Sequence, residues 1–349
     1  MEGQNKSLFQ LFVPLCLETI FYMLSGMVDT LMLSSVGDQA VGAVGTANTY
    51  IGVFIIMYSV VSMGMLAVMT QNIGAGRPGI ACQAKTLGLW FNGILGVVMS
   101  VFLFFCSDGI LYVVGIAPAL KEPAVQYLRI VGGGSILNAM IPILAGYLRA
   151  FGYTKQPLIA TVTGNILNFI LNAVFLFHFH LGVQGVASAT VISKVVNLIL
   201  IVIFVRRLIP AKKYSERVNS GEILRQIIRI GLPSALENIV YNELLIRGYN
   251  VDVGVVEVFD RNKEGKRVRK QLEVDFVVNQ SSQRYYIQVA YDMTSEEKQT
   301  QEFNSLRNIP DSFKKVVIVN GSKKPWRNDE GFVIMGMKYF LLNANSLEY

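Results

Sequence analysis

Glu18, Tyr22, Ser25 and Asp29 recur at i, i+4, i+7 and i+11. At 3.6 residues per turn this places two carboxyls, a phenol and a hydroxyl on one stripe of a helix. Thr161, Asn165, Asn168 and Asn172 repeat the geometry with a hydroxyl and a ladder of amides. Both stripes lie in apolar stretches, where each polar group costs several kcal/mol unless it faces a cavity or a partner. For Asp29 the expected role is therefore functional. The amide ladder either lines that cavity or hydrogen-bonds neighbouring helices. A third stretch carries Thr190, Ser193, Lys194 and Asn197, with Lys194 about eleven residues from either end of the stretch. That is too deep for its ammonium to reach an interface, so it is expected to pair with Asp29 or Glu18.

The elements that must hold these groups are legible in the composition. Hydrophobic residues make up 52% and charged residues 16% of the 349-residue chain, against about 25% charged in ordinary globular proteins. The apolar character is concentrated before residue 206, and Lys, Arg, Asp and Glu crowd the chain from Asn242 onward. A membrane-crossing helix needs about 20 apolar residues. Six stretches meet that length, over 8–33, 41–70, 87–105, 124–148, 158–177 and 183–205. Short turn-rich separators such as Gly74-Ala75-Gly76-Arg77-Pro78-Gly79 divide them. The apolar run at the N-terminus is too long for a signal-peptide core and has no small-residue cleavage site, so a retained helix is expected.

The net charge of +7 does not by itself point to nucleic acid, which is not an expected partner. Arg77 and Lys85, Arg149 and Lys155, and Arg206, Arg207, Lys212, Lys213 and Arg217 follow the second, fourth and sixth stretches. The other separators carry Lys121 with Asp38, Asp108 and Glu122. By the positive-inside rule both ends, with Lys6 near the first, are expected in the cytoplasm of a bacterial plasma membrane. Cys16, Cys82 and Cys106 have no metal-type or disulfide-framework spacing.

Several runs carry a family resemblance. Met27-Val28-Asp29-Thr30-Leu31-Met32 resembles the first-helix signature of multidrug and toxic compound extrusion (MATE) transporters. Gln71-Asn72-Ile73-Gly74-Ala75-Gly76-Arg77 is similar to the end of their second helix. Gly164-Asn165-Ile166-Leu167-Asn168 and the run from Gly185 to Ser193 resemble their fifth and sixth helices, and Gly231-Leu232-Pro233-Ser234 the start of the seventh. The resemblance spans roughly residues 8–238. It implies extrusion of amphipathic or cationic drugs in exchange for protons or sodium, with two six-helix lobes around a cavity. It also implies that Asp29 binds the coupling ion and that Asn168, Asn172 and Thr190 complete the cation site. Glu18, Tyr22, Ser25, Asn165 and Lys194 would line the cavity. Many members carry Asp where this chain has Asn172, an amide that cannot titrate near neutral pH. Coupling to H+ would then rest on Asp29 and Glu18, while Na+ could use neutral oxygens and one carboxylate. No further cofactor is implied.

A second lobe would need six more spans, and none follows. Residues 222–230 read as an amphipathic helix, and the pattern then turns to short alternating segments. Strands are expected over 251–258, 271–278, 284–291, 315–319 and 332–337, with a helix over 295–308 and a basic turn over 261–267. In the second strand Leu272, Val274, Phe276 and Val278 share one face. Glu237-Asn238-Ile239-Val240-Tyr241, Glu273-Val274-Asp275-Phe276 and Tyr286-Ile287-Gln288-Val289-Ala290 resemble the PD-(D/E)XK nuclease-like domain that follows bacterial AAA-type ATPase modules. The resemblance implies Glu237 and Asp275 as metal-site acids, with Gln288 where a second carboxylate belongs and Ala290 where a lysine belongs. Such a site is degenerate, and no phosphate loop accompanies it. No enzyme activity and no resident metal are expected.

The fold expected is thus an all-α polytopic membrane bundle of six helices (1–220), a junction (221–241), and a small cytosolic α/β nuclease-like domain (242–349). Transport would require a second lobe or a homodimer in the lipid bilayer. The alternatives are a membrane-anchored, non-catalytic interaction module, or an inactive fusion of two gene fragments joined near residues 234–238.

Overall fold

The computed structural model describes residues 8–209, 218–261, 267–280, 283–291, 293 and 295–349. Lys6, the loop residues Lys212, Lys213 and Arg217, and the basic turn at 262–266 lie outside the described residues. The chain forms two compact units, Met1–Gly231 and Leu232–Tyr349.

The first unit is helical: α1 (Leu8–Ser34), α2 (Asp38–Gly74), α3 (Pro78–Val114), α4 (Pro118–Gly133), α5 (Ser135–Ala150), α6 (Lys155–Ala173) and α7 (Gly182–Leu208), with the start of α8 (Ser220–Ile246). Pro78 and Pro118 open their helices, where a missing N–H costs nothing. Gly115, with φ 74°, closes α3 in the left-handed conformation that glycine adopts without strain. Five helices are long and apolar enough to cross a membrane, and the bent pair α4–α5 makes a sixth. At 37 residues each, α2 and α3 would reach about 55 Å, well past a hydrocarbon core of about 30 Å. Large apolar side chains such as Phe105 and Val113 face outward at 73% and 85% exposure. In water so wide an apolar surface would drive association, whereas lipid accepts it.

The stretch expected as a single span over 124–148 is broken. It folds as α4 and α5, bent by 42° at Gly134. The run Gly132-Gly133-Gly134 explains the break, since glycine is a poor helix former. Those glycines also let neighbours approach: a Cβ on Gly132 would lie 2.8 Å from Leu103 Cβ, and one on Gly134 3.2 Å from a Val191 methyl. The sixth helix ends in a π-turn, Val174–His178.

Two apolar clusters hold the bundle. One gathers Leu33, Ala43, Ile51, Leu103, Leu128, Leu176 and Val186, and the other Met65, Ala84, Ile143, Ala160, Ile201 and Ile227. Along α3, α6 and α7 the polar residues fall between the members of one cluster and those of the other: Asn92 on α3, Asn165, Asn168 and Asn172 on α6, and Thr190, Ser193 and Lys194 on α7. Hydrophobic burial thus brackets a polar band. Asn92 sits fully buried within it and donates to the carbonyls of Tyr58 and Ala139, both at 3.2 Å, so its amide ties α2, α3 and α5 together.

The second unit is a mixed sheet with helices on both faces. Its strands are β1 (Asn250–Arg261), β2 (Arg267–Gln280), β3 (Gln283–Ala290), β4 (Lys314–Val319), β5 (Trp326–Arg327) and β6 (Val333–Gly336), in the order β1-β2-β3-β4-β6-β5. Pairing is antiparallel from β1 to β3, parallel through β3, β4 and β6, and antiparallel again at β5. Val240 and Leu244 of α8 pack on one face beside Phe340 of α10 (Met337–Leu342), and Phe303 and Leu306 of α9 (Glu296–Arg307) on the other. The helix expected over 222–230 is therefore longer, continuing through Pro233 to Ile246.

One expected strand face is overturned. Val274 packs with the α9 cluster, while Phe276 and Val278 pack with the α8 cluster. The alternation is interrupted by a β-bulge, where Asp252 pairs with Val277 but Gly254 with Val274, as the β2–β3 ladder stops at the pair Phe276↔Ile287. Beyond that pair the Asp275 carboxylate, rather than a backbone carbonyl, accepts the Val289 N–H at 2.7 Å.

Candidate functional site

In the first unit α1 is fastened to the bundle by polar contacts at three levels. Nearest the start of the helix, Glu18 Oε1 meets Arg149 Nη2 of α5 at 2.6 Å, both side chains largely enclosed. One turn on, Asn165 Nδ2 donates to the Phe21 carbonyl at 2.8 Å. Two turns further, Asn172 Nδ2 donates to Asp29 Oδ1 at 2.6 Å and to Asn168 Oδ1 at 3.3 Å. The two stripes read from the sequence therefore meet face to face, α1 against α6.

Around Asp29, among the described residues, lie neutral side chains bearing oxygen and nitrogen. Asn172 is fully buried, and its Oδ1 has no hydrogen-bond partner among the described residues. Thr190 donates its hydroxyl to the Val186 carbonyl at 2.9 Å. Tyr127 of α4, only 4% exposed, lies against Thr190 and Asn48 and senses the charge of Asp29. Ser25 is half-buried and Tyr22 is exposed. Asp29, Asn168, Asn172 and Thr190 thus converge on one place, while Glu18, Ser25 and Asn165 line α1 below it.

The pairing expected for Lys194 is corrected. Its Nζ donates to Asn138 Oδ1 of α5 at 2.9 Å, and Glu18 is taken by Arg149. Asn138 lies on α5 just past the bend at Gly134, where it meets Lys194 of α7.

Tyr127, Asn138 and Arg149 were not singled out from the sequence as site residues. A buried Tyr hydroxyl needs a partner, and that is the signal Tyr127 offers. Asn138 is a lone amide in an apolar run, without periodicity to mark it.

In the second unit, Asp275, Gln288 and Glu302 form one hydrogen-bonded set. Gln288 Nε2 donates to Asp275 Oδ1 at 2.9 Å and to Glu302 Oε2 at 3.3 Å, and Ser305 Oγ donates to Gln288 Oε1 at 3.3 Å. Burial pushes the Asp275 carboxyl up to about 7, against the lowering by the Val289 N–H, and the charges of Glu237, Glu302 and Glu273 add to the rise. Glu237 is raised by burial and then by Glu273 and Glu302, and Glu302 is raised by burial. Gln288 occupies the centre, so an amide bridges carboxylates that would otherwise repel. Glu302 and Ser305 of α9 were not anticipated. No group of three or more His, Cys, Asp or Glu among the described residues is placed to hold a metal ion. A separate cavity of about 860 Å³ opens at the carboxyl ends of β4 and β6, lined by Tyr291, Phe303, Asn320, Lys323 and Trp326 among others.

Comparison with known proteins follows this division. Residues 14–174 match the MatE family model, and residues 234–340 match the model of a domain of unknown function, DUF4143. The chain is 34% identical over 242 residues to the uncharacterized transporter YisQ of Bacillus subtilis, covering 68% of this chain and 53% of that protein. It is 28% identical over 264 residues to the probable multidrug resistance protein NorM of Thermotoga maritima, covering 71% of this chain and 54% of that protein. A solved outward-facing multidrug resistance MATE family transporter superposes with a TM-score of 0.60 at 26% identity, over 68% of this chain and 54% of its own. The chain spans about half the length of the curated relatives it matches. Its N-terminal region is MATE-like in sequence and fold, and a DUF4143 domain follows it.

Proposed function

We propose that the helical region is a cation-coupled efflux lobe of the MATE type, exchanging H+ or Na+ at Asp29 for amphipathic or cationic drugs. The observation that carries this reading is the Asp29–Asn172–Asn168 set. It places a carboxylate and unfilled amide oxygen capacity in a polar band between two apolar clusters. A fixed carboxylate among neutral oxygens in a low-dielectric setting can bind a small cation and release it when the surrounding helices move. Glu18, Tyr22 and Ser25 on α1, with Asn165 on α6, continue the polar face along which substrate would pass. The relative named as a probable multidrug resistance protein supports the substrate class. The lobe works with a second lobe, either another chain or a second copy of this one, in a bacterial plasma membrane with both of its ends cytoplasmic. MATE relatives are transporters rather than enzymes, and this lobe is assigned no catalytic step.

The test is accumulation of a fluorescent cationic dye in cells making the whole chain, compared with an Asp29→Asn variant present at equal level. Exclusion of dye by the native chain alone supports the reading. Equal accumulation in both sinks it.

For the second unit we infer a non-catalytic PD-(D/E)XK-like module that acts through protein contacts. Gln288 stands between Asp275 and Glu302, and Ala290 offers no charge two residues on. Mg²⁺-dependent cleavage of DNA by the purified chain, lost in Asp275→Asn, would overturn this.

A further inference from the structure

The cavity of about 860 Å³ in the second unit falls within the size range of small-molecule sites, and neither the transport lobe nor the Asp275 set uses it. One wall is a single stripe of α9, since Glu296, Thr300, Phe303 and Arg307 stand at i, i+4, i+7 and i+11 and all line it. Phe303, Val319 and Ile334 are buried and give it an apolar floor. Trp326 of β5 pairs with Ile334 across the β5–β6 ladder, which puts its indole on the same face of the sheet as that floor. Trp326 and Tyr291 both stay exposed, although rings of this size serve packing only when they are covered.

The charges around the cavity are unequal. Arg307 is already spent: its Nε and Nη2 each donate to Glu330 at 2.6 Å, and its guanidinium lies 5.7 Å from the centre of the Phe303 ring. Glu296, Asp329 and Lys323 also line the cavity, and none of the three has an ion-pair partner among the described residues. Two free carboxylates therefore stand against one free ammonium, beside two exposed aromatic rings.

We propose that this cavity binds a small organic cation that carries an aromatic ring, with a quaternary ammonium as the simplest case. The ligand's ring covers the apolar floor, and its positive end meets Trp326 and Tyr291, whose ring quadrupoles attract a cation. Glu296 and Asp329 add charge of the matching sign. An anion of the same size meets two carboxylates and has only Lys323 in its favour. The inference gives the second unit a ligand of its own and does not rest on the reading of Asp29.

The chain has two tryptophans, Trp90 and Trp326. In a Trp90→Phe background the indole emission of the purified full chain therefore reports on this cavity alone, and binding within the helical unit is silent. Benzyltrimethylammonium should change that emission saturably, with a midpoint in the low millimolar range or below, and phenylmethanesulfonate, an aromatic anion of similar size, should not. An exposed charge is worth about 1.5- to 5-fold in binding, so Glu296→Gln combined with Asp329→Asn should raise the midpoint at least about 3-fold, and Lys323→Gln should lower it about 2-fold. Tyr291→Leu should raise it about 3-fold through the lost cation–π contact. All four substitutions fall at exposed positions and leave the floor and the Arg307–Glu330 pair in place, so thermal melting should match that of the parent chain. The absence of a saturable response, a response to the sulfonate as strong as that to the ammonium, or a midpoint unmoved by the paired carboxylate substitutions overturns the proposal.

Discussion

Asn172 Nδ2 lies 2.6 Å from Asp29 Oδ1, and this contact joins the Asp29 carboxylate of α1 to the buried amides of α6. A hydrogen bond to a charged group contributes about 1.5–3 kcal/mol, roughly 10- to 150-fold in an equilibrium. Asn172→Ala is expected to lower dye efflux by at least about 10-fold while the chain stays folded. Asn172→Asp places a second carboxylate beside Asp29 and should strengthen binding of cations to the purified chain. Efflux by Asn172→Ala at the native rate would show that the contact only packs α1 on α6.

The Glu18–Arg149 pair is expected to hold α1 to α5. Breaking a largely enclosed pair leaves one charge stranded, which costs about 3–5 kcal/mol when burial is complete and less here, where the side chains keep 15% and 26% of their exposure. Glu18→Gln and Arg149→Gln should each lower the melting temperature in detergent by several degrees. The exchanged pair Glu18→Arg with Arg149→Glu should recover part of the loss. Three unchanged melting curves would mean that the pair is dispensable.

Which parts of this site the sequence made legible follows from periodicity. The stripes Glu18–Asp29 and Thr161–Asn172 were readable because helical spacing is a property of the chain alone, and the structure brings them together. The partner of Lys194 was not readable, because it depends on a bend at Gly134 that places Asn138 opposite α7. A run of three glycines signals weakness in a helix, but which neighbours press against it, here Leu103 and Val191 of other helices, is set by packing. Glu302 escaped for a similar reason. It sits on a polar helix whose charges resemble an ordinary solvated face, and only the crossover from β3 to β4 brings it to Gln288.

Gly64 and Gly231 mark a backbone contact between α2 and the start of α8. A Cβ on Gly64 would lie 1.9 Å from the Ile227 carbonyl oxygen, and one on Gly231 would lie 1.9 Å from that of Val60. Neither carbonyl can rotate away as a side chain could. Gly64→Ala and Gly231→Ala should each destabilise the helical unit by about 1–3 kcal/mol, the usual cost of overpacking, and the double variant by less than the sum. Gly45→Ala is the control, since nothing lies within 4 Å of its added Cβ. Thermal melting of the detergent-solubilised chain reads the difference, and equal curves for Gly64→Ala and Gly45→Ala would refute the contact.

Asp275 gives the second unit a pH dependence whose sign is fixed by its environment. Its carboxyl is raised from 3.8 to about 7, chiefly by burial. A raised carboxyl favours the protonated folded state, so its contribution is fully present below the unfolded value near 4 and is lost as pH rises toward 7. Hydrogen exchange of the β2 and β3 amides in the full chain, corrected for intrinsic rates, should therefore speed up between pH 4 and 7. Asp275→Asn should flatten that rise, since an amide does not titrate. The Val289 amide is the most direct reporter, because Asp275 Oδ2 accepts its hydrogen at 2.7 Å and Asn at 275 can offer only one oxygen to replace it. If native and Asp275→Asn chains show the same pH slope at β3, the carboxyl is not the group that titrates there. The source would then be Glu237 or Glu302, the raised carboxyls that share its surroundings.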